Sequence, residues 1–411
     1  MKESYKFQKL LEEAGKTEWS RWRPLLEHAA YLHELSIQPP WEGLPYSPEQ
    51  IGPGYCYAPA FGHWDLIFSL LDSCPAVPEH TREQLINDLT LQQENGFLPG
   101  SIFRKNNSLR YSLNSGHPPI WPAAVELYCR TVGSDELKKQ FLPNLIRQLR
   151  WFEKERGMEN GGFFYLDVLT AEIWESGIDE SVRCRIVPEH GRYACVDASS
   201  HVFFLYDRIC TWLEELGEPA AEEFTEKRDA LRRFIQTELY SEQSGFFHDH
   251  HLLEREELHY FGDGLWPVIT GAASPEQAKR VILESLMNPE RFFTPHPFPW
   301  IAVSDPLYEL RMWRGPVWNS MTFLAAYGCF RYGFFREALA ILDRALDWTE
   351  RQYEETGAIW EFYHPFGGDQ NDLQRKPNTK FNTPCREYLG HCPVFSMARL
   401  RDCAVKLEKV Q

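Results

Sequence analysis

Several common signatures are missing from this chain, and each absence narrows what it does. Its ten cysteines include no C-x-x-C pair, which excludes zinc-ribbon and dithiol motifs. Cys129, Cys210 and Cys329 sit inside apolar helical patterns, which reads as free buried thiols in a reducing cytoplasm rather than disulfides. No run approaches the roughly 20 apolar residues of a membrane span. The opening residues, MKESYKFQKLLEEAGK, are charged and amphipathic and lack the apolar stretch of a secretion signal. The expected location is therefore cytoplasmic, with no membrane partner. Basic residues are outnumbered, 43 Lys and Arg against 59 Asp and Glu, for a net charge of −16. With no basic run either, nucleic acid is not expected as a partner. H-E-x-x-H, G-x-S-x-G, P-loop and dinucleotide fingerprints do not occur. Asp369, Asn371 and Asp372 in DQNDL miss the calcium-loop spacing. No metal and no cofactor is expected.

Period-2 alternation is also scarce, and strong helical patterns recur instead. AAVELYCRTVG ends at Gly133, with Ser134 as the candidate N-cap of SDELKKQFLPNLIRQLRWF. HVFFLYDRICTWLEELG ends at Gly217 before EPAAEEFTEKRDALRRFI, and SMTFLAAYGCFRYG at Gly333 before FFREALAILDRALDWTE. Glycine just past the last helical residue is the usual way to close a helix. Thr81–Gln84 and Ser274–Gln277 have capping-box spacing. Twelve or thirteen helices result. Turns within a pair are short, whereas connections between pairs, about 36–60, 96–116, 157–195, 241–262, 288–313 and 356–388, are long. Such lengths are uncommon in compact domains and usually functional. The alternation predicts an all-α (α/α)6 toroid: six helix hairpins in a closed ring, with the long loops on one rim forming the active site. No Ser/Gly or charged linker divides the chain, so residues 1–411 are expected to form a single domain. A helical solenoid fits less well, because the pairs lack a fixed period.

Aromatic residues, 14% of the chain with 14 Trp, crowd these loops. In WESGIDESVR (174–183), Gly177 stands among acids; inside a helix it would cost about 1 kcal/mol relative to Ala, so the segment reads as a loop. Asp179 there is a candidate general acid if burial beside Trp174 raises its pKa, or else a loop carboxylate paired with Arg183. Glu361, among three aromatics in WEFYHP, is a candidate base or nucleophile, or an edge carboxylate facing solvent. Trp313-Arg314-Gly315-Pro316-Val317-Trp318 reads as packing where a helix begins, with Arg314 ion-paired, or as a sugar subsite. In a subsite the Trp faces stack on pyranose C–H bonds and the Arg fork binds hydroxyls. In His63-Trp64-Asp65, the Asp either caps the following helix or holds sugar hydroxyls. His117, between Gly116 and Pro118, is a weaker candidate. Two carboxylates in separate aromatic loops suit glycoside hydrolysis, which needs an acid for the leaving oxygen and a second carboxylate for water or the anomeric carbon.

These segments resemble, in order, those of glycoside hydrolase family 63 and the related trehalase-like (α/α)6 glycosidases. WESGIDESVR resembles the family's W-E-S-G-x-D-N-S-P-R, and VDASSHVFFLYDR its V-D-L-N helix start. HYFGDGLWPVITGAA resembles its G-x-W-P-L-x-x-G loop, MWRGPVWNSMTF its W-R-G-P-x-W segment, and FGHWDLIFSLLD its W-D loop. The resemblance implies inverting hydrolysis, with Asp179 as general acid, Glu361 as general base, and their carboxyl groups roughly 6.5–9.5 Å apart. It implies substrate contacts from Trp64, Asp65, Trp313, Arg314 and Trp318. His117, Trp174, Glu175, Gly177, Gly315 and Tyr363 are counted with them as substrate-binding, and Arg183 and Glu175 are expected to fix the shape of the acid loop. The chain is similar in size to compact bacterial members acting on mannosylglycerate or glucosylglycerate. A small carbohydrate, foremost an α-glucoside, is thus the expected partner, and Arg104, Lys105 or Arg375 would meet a charged aglycone.

The chain departs from the family pattern at Glu180, where Asn is usual, at Val182 in place of Pro, and at His117 in place of Gln. Asn319 also follows Trp318 directly. These changes leave the acid and base in place and bear on the substrate instead. Two rivals follow from the same residues. One is a carbohydrate epimerase on this ring, for which His391 or His364 would matter. The other is a non-catalytic sugar-binding protein that keeps the aromatic rim.

Overall fold

The expected helix pairs are present in the computed structural model, which describes residues 6–106, 108–170, 173–183, 191–219 and 221–409. Residues 1–5 of the amphipathic start lie outside the described residues. Helices α1 (Gln8–Ala14) and α2 (Arg23–Ser36) precede the pair α3 (His63–Ser73) and α4 (Pro78–Thr90). Then α5 (Trp121–Val132) turns into α6 (Glu136–Glu155), and α7 (Val196–Glu215) into α8 (Glu222–Glu238). Next, α9 (Trp266–Thr270) turns into α10 (Pro275–Arg280) and α11 (Asn319–Arg331) into α12 (Phe335–Thr356), with α13 (Val394–Glu408) last.

Local chemistry sets these boundaries. α5 stops where Gly133 takes a left-handed φ of 70° and its N–H donates to the Cys129 carbonyl, a backbone conformation that favours glycine. Ser274 and Gln277 form a complete capping box at the start of α10. Two other capping expectations fail. α4 already begins at Pro78, whose fixed φ suits a first helical turn, so Thr81 lies inside the helix and caps nothing. At α6 the N-cap is Asp135, and Ser134 Oγ only accepts a long 3.4 Å bond from the Glu136 N–H.

α3 and α9 are buried at every position, as helices inside a ring must be. They belong to an inner ring in which α3 packs on α5, α7 on α9, α9 on α11, α11 on α13, and α13 back on α3. α5 meets α7 through Trp121 and Trp212, whose rings lie 5.9 Å apart. Trp212 Nε1 and Arg208 Nη1 also donate to Glu126 at 3.0 and 2.8 Å. The sixth pair is made across the chain, because α2 packs on α12 and α13. Trp19 Nε1 donates to Asp402 at 2.9 Å, Trp22 Nε1 to Asp347 at 2.7 Å, and the Leu25 N–H to Glu350 at 3.1 Å. The all-α (α/α)6 toroid expected from the sequence is the observed architecture. It carries two small unforeseen additions among the described residues: an antiparallel sheet of β1 (Ala60–Gly62), β2 (Ser101–Lys105) and β3 (Ser108–Arg110), in that order, with Ala60 opposite Phe103, and an antiparallel pair of Tyr240–Ser241 with Phe246–Phe247. No helix among the described residues is long and apolar enough to cross a membrane. Cys129, Cys210 and Cys329 are buried free thiols.

Under α2 and α4 lies a sealed ionic network. Glu49 bridges His33 Nδ1 at 2.6 Å and His80 Nε2 at 2.7 Å, and all three are fully buried. Burial alone would pull His33 down, but the charge of Glu49, with Asp72, carries it up to about 9. Burial would likewise raise Glu49, but His33 and His80 hold it down at about 2. His33 therefore adds stability that is complete below its ordinary 6.5 and lost as pH rises through about 9. Glu49 adds stability that is complete above its ordinary 4.5 and lost as pH falls through about 2. Glu49→Gln is expected to destabilise by about 3–5 kcal/mol, most between pH 4.5 and 6.5 and progressively less toward alkaline pH. Denaturant titration of both proteins across that range measures the difference, and a pH-independent gap would contradict the assignment.

Candidate active site

The loops that lead into the inner helices surround one cavity of about 440 Å³. Among the described residues, five of the six long connections line it. The connection before α3 contributes Tyr55, Tyr57 and Ala60, and α3 itself Trp64 and Asp65. Ser101, Phe103 and His117 come from the next, and Trp174, Gly177 and Asp179 from the third. Met312, Trp313 and Trp318 precede α11, while Glu361, Arg375, Lys376, Tyr388 and His391 precede α13. The HYFGDGLWP loop was expected to join them and does not. It stands behind the wall, with the Trp266 ring 6.4 Å from that of Trp64 and Asp263 turned to Arg183.

Asp179 lies on the cavity wall about a quarter exposed, and its Oδ2 accepts from Lys376 Nζ at 3.1 Å. It is not paired with Arg183. Arg183 instead lies buried against α7, donating to Asp197 at 2.9 Å and to both oxygens of Asp249 at 2.8 and 3.1 Å, with Asp263 at 3.4 Å. Burial pushes Asp263 up to about 8, helped by Asp197 and Asp249 and opposed by Arg183. At the other end of the loop Glu175 is buried and gripped by Arg156, at 2.8 to 3.0 Å. It also accepts the Leu166 N–H at 2.7 Å. The loop is thus pinned at both ends, as expected of Arg183 and Glu175, but Glu175 does not line the cavity. Between them Gly177 turns at φ 75°, and a Cβ there would stand 3.3 Å from the Trp64 ring.

Glu361 is buried, and Arg375 Nε contacts both its oxygens, at 3.0 and 2.8 Å. The Cys385 N–H donates to Glu361 Oε2 at 3.0 Å, and Arg375 Nη1 reaches the Tyr57 hydroxyl at 3.0 Å. These contacts fix the carboxylate plane. Arg375, weighed from sequence as a partner for an aglycone, is therefore committed to Glu361, and Arg104 and Lys105 do not line the cavity.

The aromatic wall is one stack. Trp313 and Trp318 lie parallel with centroids 3.8 Å apart, and the His391 ring stands edge-on to Trp318 at 4.7 Å and to Trp64 at 5.3 Å. Asp65 does not cap α3, where Gly62 holds the N-cap position. Its Oδ1 takes the Tyr388 hydroxyl at 2.6 Å and faces His391 Nε2 at 3.3 Å. Burial works to raise Asp65, but His391 and Tyr388 outweigh it and hold the carboxyl below its ordinary value. Burial also lowers His117, against the opposing charges of Asp65 and Asp179.

Three other residues of the expected substrate set point elsewhere. Arg314 donates to the Glu180 carbonyl at 2.8 Å and to Glu309 at 3.0 Å. A Cβ on Gly315 would stand 2.3 Å from the Glu309 carbonyl, so the residue serves close packing. Tyr363 is buried, its hydroxyl accepting the Trp360 N–H at 3.1 Å. The W-R-G-P-V-W segment thus divides: its tryptophans face the cavity and its Arg-Gly pair builds the turn behind them. Lys376, Tyr55, Tyr57 and Tyr388 were not singled out from sequence. His391 entered only through the epimerase reading, and His364 does not line the cavity.

Residues 58–382 match the model of the mannosylglycerate hydrolase MGH1-like glycoside hydrolase domain. The chain belongs to this family. An uncharacterized protein of Borreliella burgdorferi is 25% identical over 314 residues, 72% of this chain and 62% of that one, so the chain spans less than two thirds of that relative's length. A glucosylglycerate hydrolase of Mycolicibacterium hassiacum is 23% identical over 402 residues, 76% of this chain and 88% of that one. The crystal structure of a glycoside hydrolase family 63 mannosylglycerate hydrolase from Thermus thermophilus in complex with glucose shares the fold. It has a TM-score of 0.69 and 16% identity, covering 90% of this chain and 98% of that one.

Proposed function

We propose that this protein hydrolyses a small α-glycoside with inversion, Asp179 acting as general acid and Glu361 as general base. The observation that supports this reading is the placement of two carboxylates from separate loops on one tryptophan-walled cavity, each beside its own cation. In the proposed reaction the sugar stacks on Trp64 and Trp313, and Asp65 takes its hydroxyls. Asp179 gives a proton to the glycosidic oxygen as the C–O bond breaks. Glu361, oriented by Arg375, takes a proton from the water that attacks the anomeric carbon from the opposite face. Inversion needs room for that water, so the carboxyl groups belong roughly 6.5–9.5 Å apart. Glucosylglycerate and mannosylglycerate, the substrates named for relatives, are the first candidates.

A proton NMR time course with these two compounds, trehalose, kojibiose, nigerose, maltose and isomaltose tests the proposal. The expected first product is the β-anomer of the released sugar. Initial release of the α-anomer would mean retention, and a sugar that isomerises without hydrolysis would favour the epimerase.

A further inference from the structure

The inner helices carry a second cavity, of about 310 Å³, which opens toward their C-terminal ends, away from the loops of the first. All six contribute to it, from Leu71 of α3 to Leu400 of α13. Its walls are apolar, with Leu127, Phe204 and Phe323 among them. Exposed Arg130, Tyr327 and Arg331 mark its mouth, and buried Trp266 and His201, with rings 4.0 Å apart, its floor. The volume falls at the low end of small-molecule sites, about 300–1,000 Å³. No residue lines both cavities, although the Trp266 ring lies only 6.4 Å from that of Trp64.

Charge and an orphaned polar atom together define what this cavity would hold. Two of its arginines are already spent: Arg208 donates to Glu126 at 2.8 Å, and Arg399 to Glu13 at 3.0 Å. Arg130 and Arg331 form no ion pair among the described residues, and Arg331 only faces the Tyr327 ring at 5.5 Å. α5 and α11 stand three places apart in a ring of six, so these two cations flank the mouth from opposite sides. A basic rim around a low-dielectric hole draws anions, here on a chain whose net charge is −16. At the floor, the Tyr165 hydroxyl meets His201 Nδ1 at 2.8 Å, while the buried Nε2 has no hydrogen-bond partner among the described residues. Burial pushes this imidazole down to about 3, against the charge of Asp197, and keeps it neutral. A buried polar atom left unpaired is costly and calls for a partner. Apolar walls exclude a second sugar, whose hydroxyls would lose their water for too few partners.

We propose that this cavity binds a single-chain anionic amphiphile, with its charged head at the Arg130–Arg331 rim, its apolar chain along the ring axis, and a hydroxyl or carbonyl at its far end on His201 Nε2. The site is separate from the carboxylate pair and does not depend on the hydrolase reading.

Isothermal titration calorimetry of the whole protein with decanoate, ω-hydroxydecanoate, decyl phosphate and decanol tests this. One molecule per chain is expected to bind, and the better of decanoate and decyl phosphate, which names the head group, at least about tenfold tighter than decanol. ω-Hydroxydecanoate should bind about threefold tighter than decanoate, and His201→Leu should remove that gain. Arg130→Gln combined with Arg331→Gln, both at exposed positions, should erase the advantage over decanol and leave decanol binding unchanged. Ala123→Phe, which fills the cavity, should weaken all four by at least about tenfold, with its melting temperature checked alongside. Asp179→Asn, in the other cavity, should alter none. Equal affinity for charged and neutral chains would overturn the proposal, as would no binding of any probe by the wild-type protein. Binding that survives in folded Ala123→Phe, or that is lost in Asp179→Asn, would place the ligand elsewhere and overturn it too. If Ala123→Phe does not fold, the arginine pair decides: an undiminished preference over decanol in that variant sinks the proposal.

Discussion

Asp179→Asn and Glu361→Gln are each expected to lower glycoside hydrolysis by about 10²–10⁴-fold, and an α-glycosyl fluoride should tell them apart. Fluoride departs as a stable anion and needs no proton, so Asp179→Asn should recover most of its rate on that substrate. Glu361→Gln should recover none, because water still has to be activated on the far face. The comparison is made on kcat, with fluoride release and sugar appearance followed together. The asymmetry follows from position: Asp179 is partly exposed and touches one cation at one point, whereas Glu361 is buried and held by Arg375 and the Cys385 N–H. Equal losses on both leaving groups for Asp179→Asn would remove it from the role of acid.

Arg183→Met should affect stability more than any other single change to the acid loop. The guanidinium is the cation among Asp197, Asp249 and Asp263, all buried. Removing one partner of a buried ion pair costs about 3–5 kcal/mol, and here three carboxyl groups lose their shared partner at once. The variant is expected to melt at a lower temperature and to regain stability as pH falls, because protonated aspartates need no counter-ion. The wild-type protein should gain less, because there Arg183 works against the rise of these carboxyl groups. Turnover should fall with kcat rather than KM, since the Trp174–Arg183 segment loses the anchor that aims Asp179. A variant with wild-type melting temperature at every pH would contradict the role assigned to this network.

The sequence made the ring legible because each helix carries its own signal. Period and closing turns locate α5 through α8, α11 and α12 without reference to their neighbours. The cavity was legible where one short segment holds both the chemistry and its aromatic setting, as around Asp179 and Glu361. What could not be read were pairings between distant segments. Arg183 reaches Asp249 across 66 positions and Tyr388 reaches Asp65 across 323, and neither partner looks unusual in its own surroundings. Lys376, in the polar stretch QRKPNTK, looks like any solvated lysine until the fold sets it against Trp174. β1 and β3, three residues each, are too short to show alternation. Glu175, Arg314 and Tyr363 show the converse: a conspicuous motif holds scaffold residues as well as those that line the site, and only burial separates them.

The seam between α2 and the α12–α13 end has a consequence for how the molecule is made. During synthesis α3 emerges before the other inner-ring helices, and its neighbour α13 after all of them. Until then the flanks of α3 and α11 that α13 will cover stay open, and Trp19 has no Asp402 to meet. Contacts spanning most of a chain slow folding, and uncovered apolar surface on a nascent chain invites aggregation. A ribosome-bound chain stopped before Val394 is therefore an open horseshoe, and the ring closes only after α13 has left the exit tunnel.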